Sequence, residues 1–200
     1  MSEKNRTAEV NRKTAETDIA LTLALDGAGR YDISTGCGFF DHMLEQFARH
    51  GGFDISLRCN GDMHVDAHHT VEDCGIALGS AFLQALGDKR GICRYGWAVL
   101  PMDEALILCA ADISGRTAVN FDITFPGEYR LGDMDAELVK EFFLAFARAC
   151  PMALHFKKLY GENNHHVAEG AFKAFAKVMA QAVRLDPGRA GQLPTTKGVL

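Results

Sequence analysis

A repeat limits what this chain can become more than any other feature. D-A-H-H-T-V-E-D at 66–73 and E-N-N-H-H-V-A-E at 162–169 share H-H-x-x-E, 97 residues apart. With 8 His in 200 residues, composition alone predicts only ~0.02 copies of that pattern. Two copies mark an internal duplication. The surroundings repeat too. Each copy opens an apolar helical stretch, Val71–Leu86 and Val167–Val183. Upstream, Phe39–His50 matches Glu137–Cys150 with F-A-R in both, and extended segments follow each, Phe53–Cys59 and Ala153–Leu159. Ahead of these lie β-rich runs broken by turns. Thr17–Leu25, D-G-A-G-R and Tyr31–Ser34 answer to Ala105–Ala111, D-I-S-G-R and Thr117–Phe125.

Each half therefore reads strand–strand–helix–strand–helix. The expected architecture is α+β, an internally duplicated half-domain, each half a four-stranded sheet with two helices packed on one face. Residues 1–90 form the first half-repeat with an N-terminal arm, and 91–200 the second with a C-terminal tail. Gly87–Gly91 is too short for a flexible linker, so one compact unit is expected.

Composition removes whole classes. Hydrophobic residues at 48% and charged residues at 24% exclude disorder, collagen-like repeats and a disulfide scaffold. The longest uncharged stretch, Cys74–Gly87, is too short to cross a bilayer, so no membrane association is expected. The polar N-terminus has no apolar signal core, and six scattered cysteines without C-x-x-C read as reduced thiols packed as small hydrophobes, so a cytoplasmic protein is expected. Lys+Arg of 21 against Asp+Glu of 26 leaves no basic face for nucleic acid.

The repeated motif carries metal chemistry. On a helix His68 and Glu72 lie roughly 40° apart, and His69 roughly 60° from Glu72 on the other side. One turn thus offers two diverging imidazoles and a carboxylate that joins either. Two ions fit: one held by His68, Glu72 and His166, the other by His165, Glu169 and His69. The repeat adds a further ligand to each, His42 in the first half and Glu141 in the second, 26 and 24 residues before their H-H pairs. Such N/O sets suit Mn, Fe, Co or Zn. Asp41, Asp66 and Asp73 stand near as partners for ring nitrogens or as helix caps, Asp66 more as a cap. His155, in an alternating strand, reads as a satisfied core residue. A two-metal hydrolase or a metal-storage shell are the competing functions on this evidence.

The longer motifs resemble one family, imidazoleglycerol-phosphate dehydratase. They run from R-T-A-E-V-N-R-K-T-A-E-T (6–17) through F-F-D-H-M-L-E-Q (39–46), G-D-M-H-V-D-A-H-H-T-V-E-D (61–73), P-M-D-E-A-L (101–106), D-I-S-G-R (112–116) and G-E-N-N-H-H-V-A-E (161–169) to P-T-T-K-G-V-L (194–200). The resemblance implies a homo-oligomer of 24 subunits, two Mn²⁺ per site (other divalent transition metals being possible) with sites between subunits, and a small phosphate substrate. It implies dehydration of imidazoleglycerol phosphate to imidazoleacetol phosphate in histidine biosynthesis, through a metal-bound imidazolate and a diazafulvene. By resemblance, His42, His68, His69, Glu72, His165, His166 and Glu169 match metal ligands, and Glu16 an acid/base. The proton-moving group is sought among Glu16, Glu72, Glu169 and Asp103. Gln46 and Lys173 match substrate contacts, and Arg94, Arg116, Thr195 and Lys197 the phosphate site. Glu141 stands where members carry a His, and a carboxylate there can still coordinate. The tail, with two hydroxyls and a cation after a proline, is expected to clamp phosphate rather than fray.

Overall fold

In the computed structural model, residues 6–127 and 130–200 are described; the first five residues of the arm lie outside them. The chain forms β1 (Thr7–Lys13), β2 (Thr17–Ala24), β3 (Tyr31–Ser34), α1 (Gly38–Gly51), β4 (Asp54–Gly61) and α2 (His68–Leu86). Then come β5 (Tyr95–Met102), β6 (Ala105–Asp112), β7 (Ala118–Asp122), β8 (Arg130–Leu131), β9 (Met134–Asp135), α3 (Glu137–Ala149), β10 (Ala153–Tyr160) and α4 (Asn164–Val183). The sheets run β1-β2-β4-β3 and β5-β6-β10-β7, the same order twice. In each, two pairings are antiparallel and the last is parallel. This is the duplicated α+β architecture.

Alternation makes the sheets one-sided. In β2, Ile19, Leu21 and Leu23 are buried while the residues between them are exposed. Each sheet turns its apolar face to two helices, and the four helices form the middle of the molecule. Here α1 packs on α4 and α2 on α3. The pairs pack differently. Phe47 of α1 stacks on Phe175 of α4 with centroids 5.2 Å apart, whereas α2 approaches α3 backbone to backbone. A Cβ at Gly79 would sit 2.5 Å from the Phe146 carbonyl, and one at Gly75 2.9 Å from that of Phe142; only glycine fits there.

The fourth strand of each sheet, β1 and β5, had no residue range in the sequence reading. In β1 only Ala8 and Val10 pack against the core, and β5 is apolar on both faces, with Trp97 and Val99 exposed, so neither shows a sustained in-and-out alternation. The hairpin β8–β9 was equally silent, yet it does long-range work. Asp133 in its turn accepts from Gly38 N at 2.6 Å and Phe39 N at 2.9 Å, capping α1 from the other half of the chain. His155 corrects the sequence reading: it is exposed on the outer face of β10, because alternation sends Leu154 and Phe156 inward.

Candidate functional site

Both H-H pairs sit in the first turn of a helix, fixed by side-chain caps. Asn163 Oδ1 accepts from His165 N at 2.9 Å and His166 N at 3.3 Å, and Asp66 Oδ1 accepts from His68 N at 2.7 Å. The residues of a pair diverge, with ring centroids 6.0 Å apart in His68–His69 and 6.2 Å in His165–His166. One imidazole of each pair is thereby free to serve a different centre from its neighbour.

One such centre is assembled. The apolar stripe that seats α1 on α4 (Phe39, Phe40, Met43, Leu44, Phe47) leaves His42 beside the start of α4. Ligand atoms of His42, His165 and Glu169 lie within 4.8 Å of one another, the one such trio of His, Cys, Asp or Glu among the described residues. His165 Nε2 is 3.0 Å and His42 Nε2 3.6 Å from Glu169 Oε2. The other oxygen, Oε1, is held by Lys173 Nζ at 2.5 Å, so Oε2 is the one turned to the imidazoles. Burial pushes the Glu169 carboxyl up, but the Lys173 ammonium, with His165 and His42, outweighs it and holds it below the usual range. Two imidazole nitrogens and an ionised carboxylate oxygen are a donor set for a divalent transition metal.

The second histidine of each pair is oriented by carboxylates. His69 Nδ1 lies 2.9 Å from Asp62 Oδ2 and its Nε2 3.8 Å from Glu16 Oε1. His166 Nδ1 lies 2.6 Å from Glu104 Oε2 and its Nε2 3.6 Å from Asp103 Oδ2. The two arrangements are alike in form, but Asp62 follows β4 whereas Glu104 lies in the β5–β6 turn. Each carboxylate raises its imidazole's pKa through the hydrogen bond, and the Glu104 carboxyl, bonded to His166 and to the Asn163 N–H, falls to about 2. A ring held at Nδ1 presents Nε2 to a metal or a proton donor.

Asp62 and Glu104 were not singled out in the sequence, where Asp41, Asp66 and Asp73 were considered for this task. None of those three touches an imidazole. Asp41 accepts from Thr35 N and Oγ1, Asp66 caps α2, and Asp73 binds Arg12 and Thr17. Sequence distance hides Glu104, 62 residues from His166; Asp62 is only 7 residues from His69, and its role is set by the loop between β4 and α2.

Glu72 and Glu141 are half-buried on α2 and α3. Within the described residues of one chain, neither His68, Glu72 and His166 nor His68, Glu72 and Glu141 gather as the His42 trio does. Gln46, one turn after His42 on α1, has Oε1 3.2 Å from His50 Nε2.

The basic residues meet elsewhere. Arg94, Arg116, Thr195 and Lys197 line one cleft of about 540 Å³ with the tail along its wall. The tail is pinned: Arg94 Nη1 donates to Pro194 O at 2.8 Å, and Lys197 N to Thr195 Oγ1 at 3.1 Å. Arg94 itself is paired with Asp112, Nε to Oδ1 at 2.6 Å and Nη2 to Oδ2 at 3.0 Å. Arg116 and Lys197 are exposed, with charge left to offer an anion.

The chain is a duplicated α+β protein with a buried carboxylate and two imidazoles gathered at helix starts as a candidate metal-ligating cluster, and a separate basic cleft. The pattern of the imidazoleglycerol-phosphate dehydratase family matches residues 35–179. A Cereibacter sphaeroides protein of that name is 58% identical over 98% of this chain and 100% of its own length. A Gluconobacter oxydans protein of the same name is 54% identical over 98% and 99%. Among solved structures, the Staphylococcus aureus imidazoleglycerol-phosphate dehydratase superposes with a TM-score of 0.81 at 33% identity, covering 90% of this chain and 99% of that one. The Pyrococcus furiosus protein of the family, solved in complex with (S)-C348, gives 0.82 at 34%, covering 96% and 100%. The chain belongs to the imidazoleglycerol-phosphate dehydratase family.

Proposed function

We propose that this chain converts imidazoleglycerol phosphate to imidazoleacetol phosphate with loss of water, as a cytoplasmic step of histidine biosynthesis. The observation that carries the reading is the His42, His165, Glu169 cluster beside carboxylate-oriented imidazoles, in a chain matching dehydratases end to end. The proton to be removed is barely acidic, since its carbon stands beside a hydroxyl and not a carbonyl. Divalent transition metals, Mn²⁺ above all, would supply the positive charge that lets the substrate imidazole give up its ring proton and expel the hydroxyl as a diazafulvene forms.

The chain's own residues do the rest. Glu16, whose Oε1 lies beside His69 Nε2, moves a proton at the carbon chain of the substrate, and Asp103, in the corresponding β5–β6 turn, lies beside His166. Arg116, Lys197 and Thr195 hold the phosphate, Gln46 reaches the hydroxyls, and Lys173 keeps Glu169 ionised and aimed. His69 belongs with the trio by the pairing of the two motifs, and His68, Glu72, Glu141 and His166 form the second set. Among the described residues of one chain the trio gathers without His69 and the second set does not gather, which supports sites completed by a second copy, in the 24-subunit shell that the resemblance implies. Metal at such a junction would add its binding free energy to assembly.

The Mn²⁺-loaded protein incubated with imidazoleglycerol phosphate should produce the ketone, followed by its absorbance. No ketone from fully loaded protein would sink the reading. Light scattering before and after chelation should show the particle shrinking and Mn²⁺ rebuilding it. An unchanged mass would put each site inside one subunit.

A further inference from the structure

The turn Thr14–Glu16 joins β1 to β2 and carries the carboxylate assigned above to proton transfer. Its own bonds shape it: Thr14 Oγ1 accepts from Glu16 N at 3.1 Å and Thr17 N at 3.0 Å, and Thr14 N donates to Thr17 O at 2.9 Å. Beneath it lies a buried charge. Asp73, in the second turn of α2 and 6% exposed, accepts at Oδ1 from Arg12 Nη2 at 2.6 Å and Nε at 3.2 Å. Its Oδ2 accepts from Thr17 Oγ1 at 2.5 Å. Arg12 lies near the end of β1 and Thr17 opens β2. One carboxylate therefore grips both strands that flank the turn, and ties them to the helix whose first turn bears His68, His69 and Glu72. Asp62 closes the other side, donating its N–H to Glu16 O at 3.1 Å while its Oδ2 holds His69 Nδ1.

The second half is an internal control. The H-H-x-x-E alignment puts Gly170 where Asp73 stands and Val167 where Thr70 stands, and Ala105 opens β6 as Thr17 opens β2. There the same junction is closed by apolar contact. Ala105 and Val167 are buried, and a Cβ at Gly170 would already lie 3.0 Å from Ile107 Cγ1. Burying a carboxylate against a guanidinium costs desolvation that apolar packing avoids, so such a pair is weak evidence for a purely stabilising role. The molecule uses the apolar solution in one half and the ionic one only beneath Glu16.

We propose that Arg12, Asp73 and Thr17 are positioning residues that hold the Glu16 carboxylate against His69 in proton-transfer geometry. The proposal rests on the dehydratase reading. Asp73 adjoins Glu72, so the test substitutes Arg12 and Thr17. In the Mn²⁺-loaded protein, Arg12→Met is expected to lower kcat for imidazoleglycerol phosphate about 10-fold or more, with KM within about twofold and metal content retained. In a Glu16→Gln background the same change should alter kcat by less than about twofold, since the group it positions is gone. Equal losses in both backgrounds would make Arg12 merely structural and overturn the proposal, as would a parental kcat. Should Arg12→Met fail to fold, Thr17→Val must show the same non-additivity and Thr17→Ser must restore the rate; a parental kcat in Thr17→Val overturns the proposal. A Glu16→Gln enzyme at parental rate would overturn both the positioning role and the assignment of Glu16. An impaired Glu16→Gln with additive losses overturns the positioning role alone.

Discussion

Arg30 and Arg116 occupy the same place in the two halves, each ending the D-x-x-G-R turn that leaves β2 or β6. The first aspartates of these turns behave alike, Asp26 binding Arg6 through both oxygens and Asp112 binding Arg94. The arginines do not. Arg30 is taken up by Asp54, which accepts from its Nε at 2.9 Å, its Nη2 at 2.5 Å and its backbone N–H at 2.9 Å. The F-A-R alignment puts Ala153 where Asp54 stands, so Arg116 has no such carboxylate and faces the cleft beside Thr195 and Lys197. One substitution in a repeat separates a surface clamp from a guanidinium left facing the cleft. The candidate ligand positions diverge in the same manner: His42 meets the start of α4, while its counterpart Glu141 lies on α3, the helix whose partner α2 comes close through Gly75 and Gly79.

The strongest test of this asymmetry is at the ligands. His42→Ala should lose one ion per chain and lower kcat on the order of 10³-fold, the scale of charge stabilisation a metal supplies. Glu141→Ala should lose the other ion. Elemental analysis finding two ions per chain in Glu141→Ala would confine the repeat relation to the fold. Next comes the arginine pair. Arg116→Met should cost about 10²-fold in kcat/KM, as a charged contact to phosphate, whereas Arg30→Met should leave kinetics parental. Reversed outcomes would exchange the roles of the two turns.

The carboxylates behind the histidines sharpen the comparison from the other side, because there both halves orient a ring at Nδ1, from different loops. Asp62→Asn and Glu104→Gln should each weaken Mn²⁺ binding roughly 10-fold by freeing a ring. Unequal losses by titration would mean the two carboxylates no longer serve equivalent rings. The smallest effect is one of pH. The Arg30 guanidinium, with the backbone N–H groups of Arg30 and Ala28, lowers the Asp54 carboxyl to about 2. A depressed folded-state value contributes stability above the ordinary carboxylate value near about 4 and loses it as pH falls toward about 2. Denaturant melts of the parent and Asp54→Asn should differ slightly at about pH 5 and converge toward about pH 2. A constant gap would remove Arg30–Asp54 from the acid response.

The duplication, the sheet-and-helix order and the positions of His42, His68, His69, His165, His166 and Glu169 were legible in the sequence alone. Each rests on local periodicity or on a motif repeated within one chain, and such signals survive without coordinates. The edge strands β1 and β5 were not, because β1 offers only Ala8 and Val10 to the core and β5 is apolar on both faces. Nor were Asp133 capping α1, Glu104 orienting His166 or Asp73 joining Arg12 to Thr17, since each couples residues about 60 or more positions apart. A carboxylate is the same letter whether it caps a helix, turns an imidazole or clamps a strand. Only the packing of α1 on α4 and of α2 beneath the β1–β2 hairpin decides which of these it does.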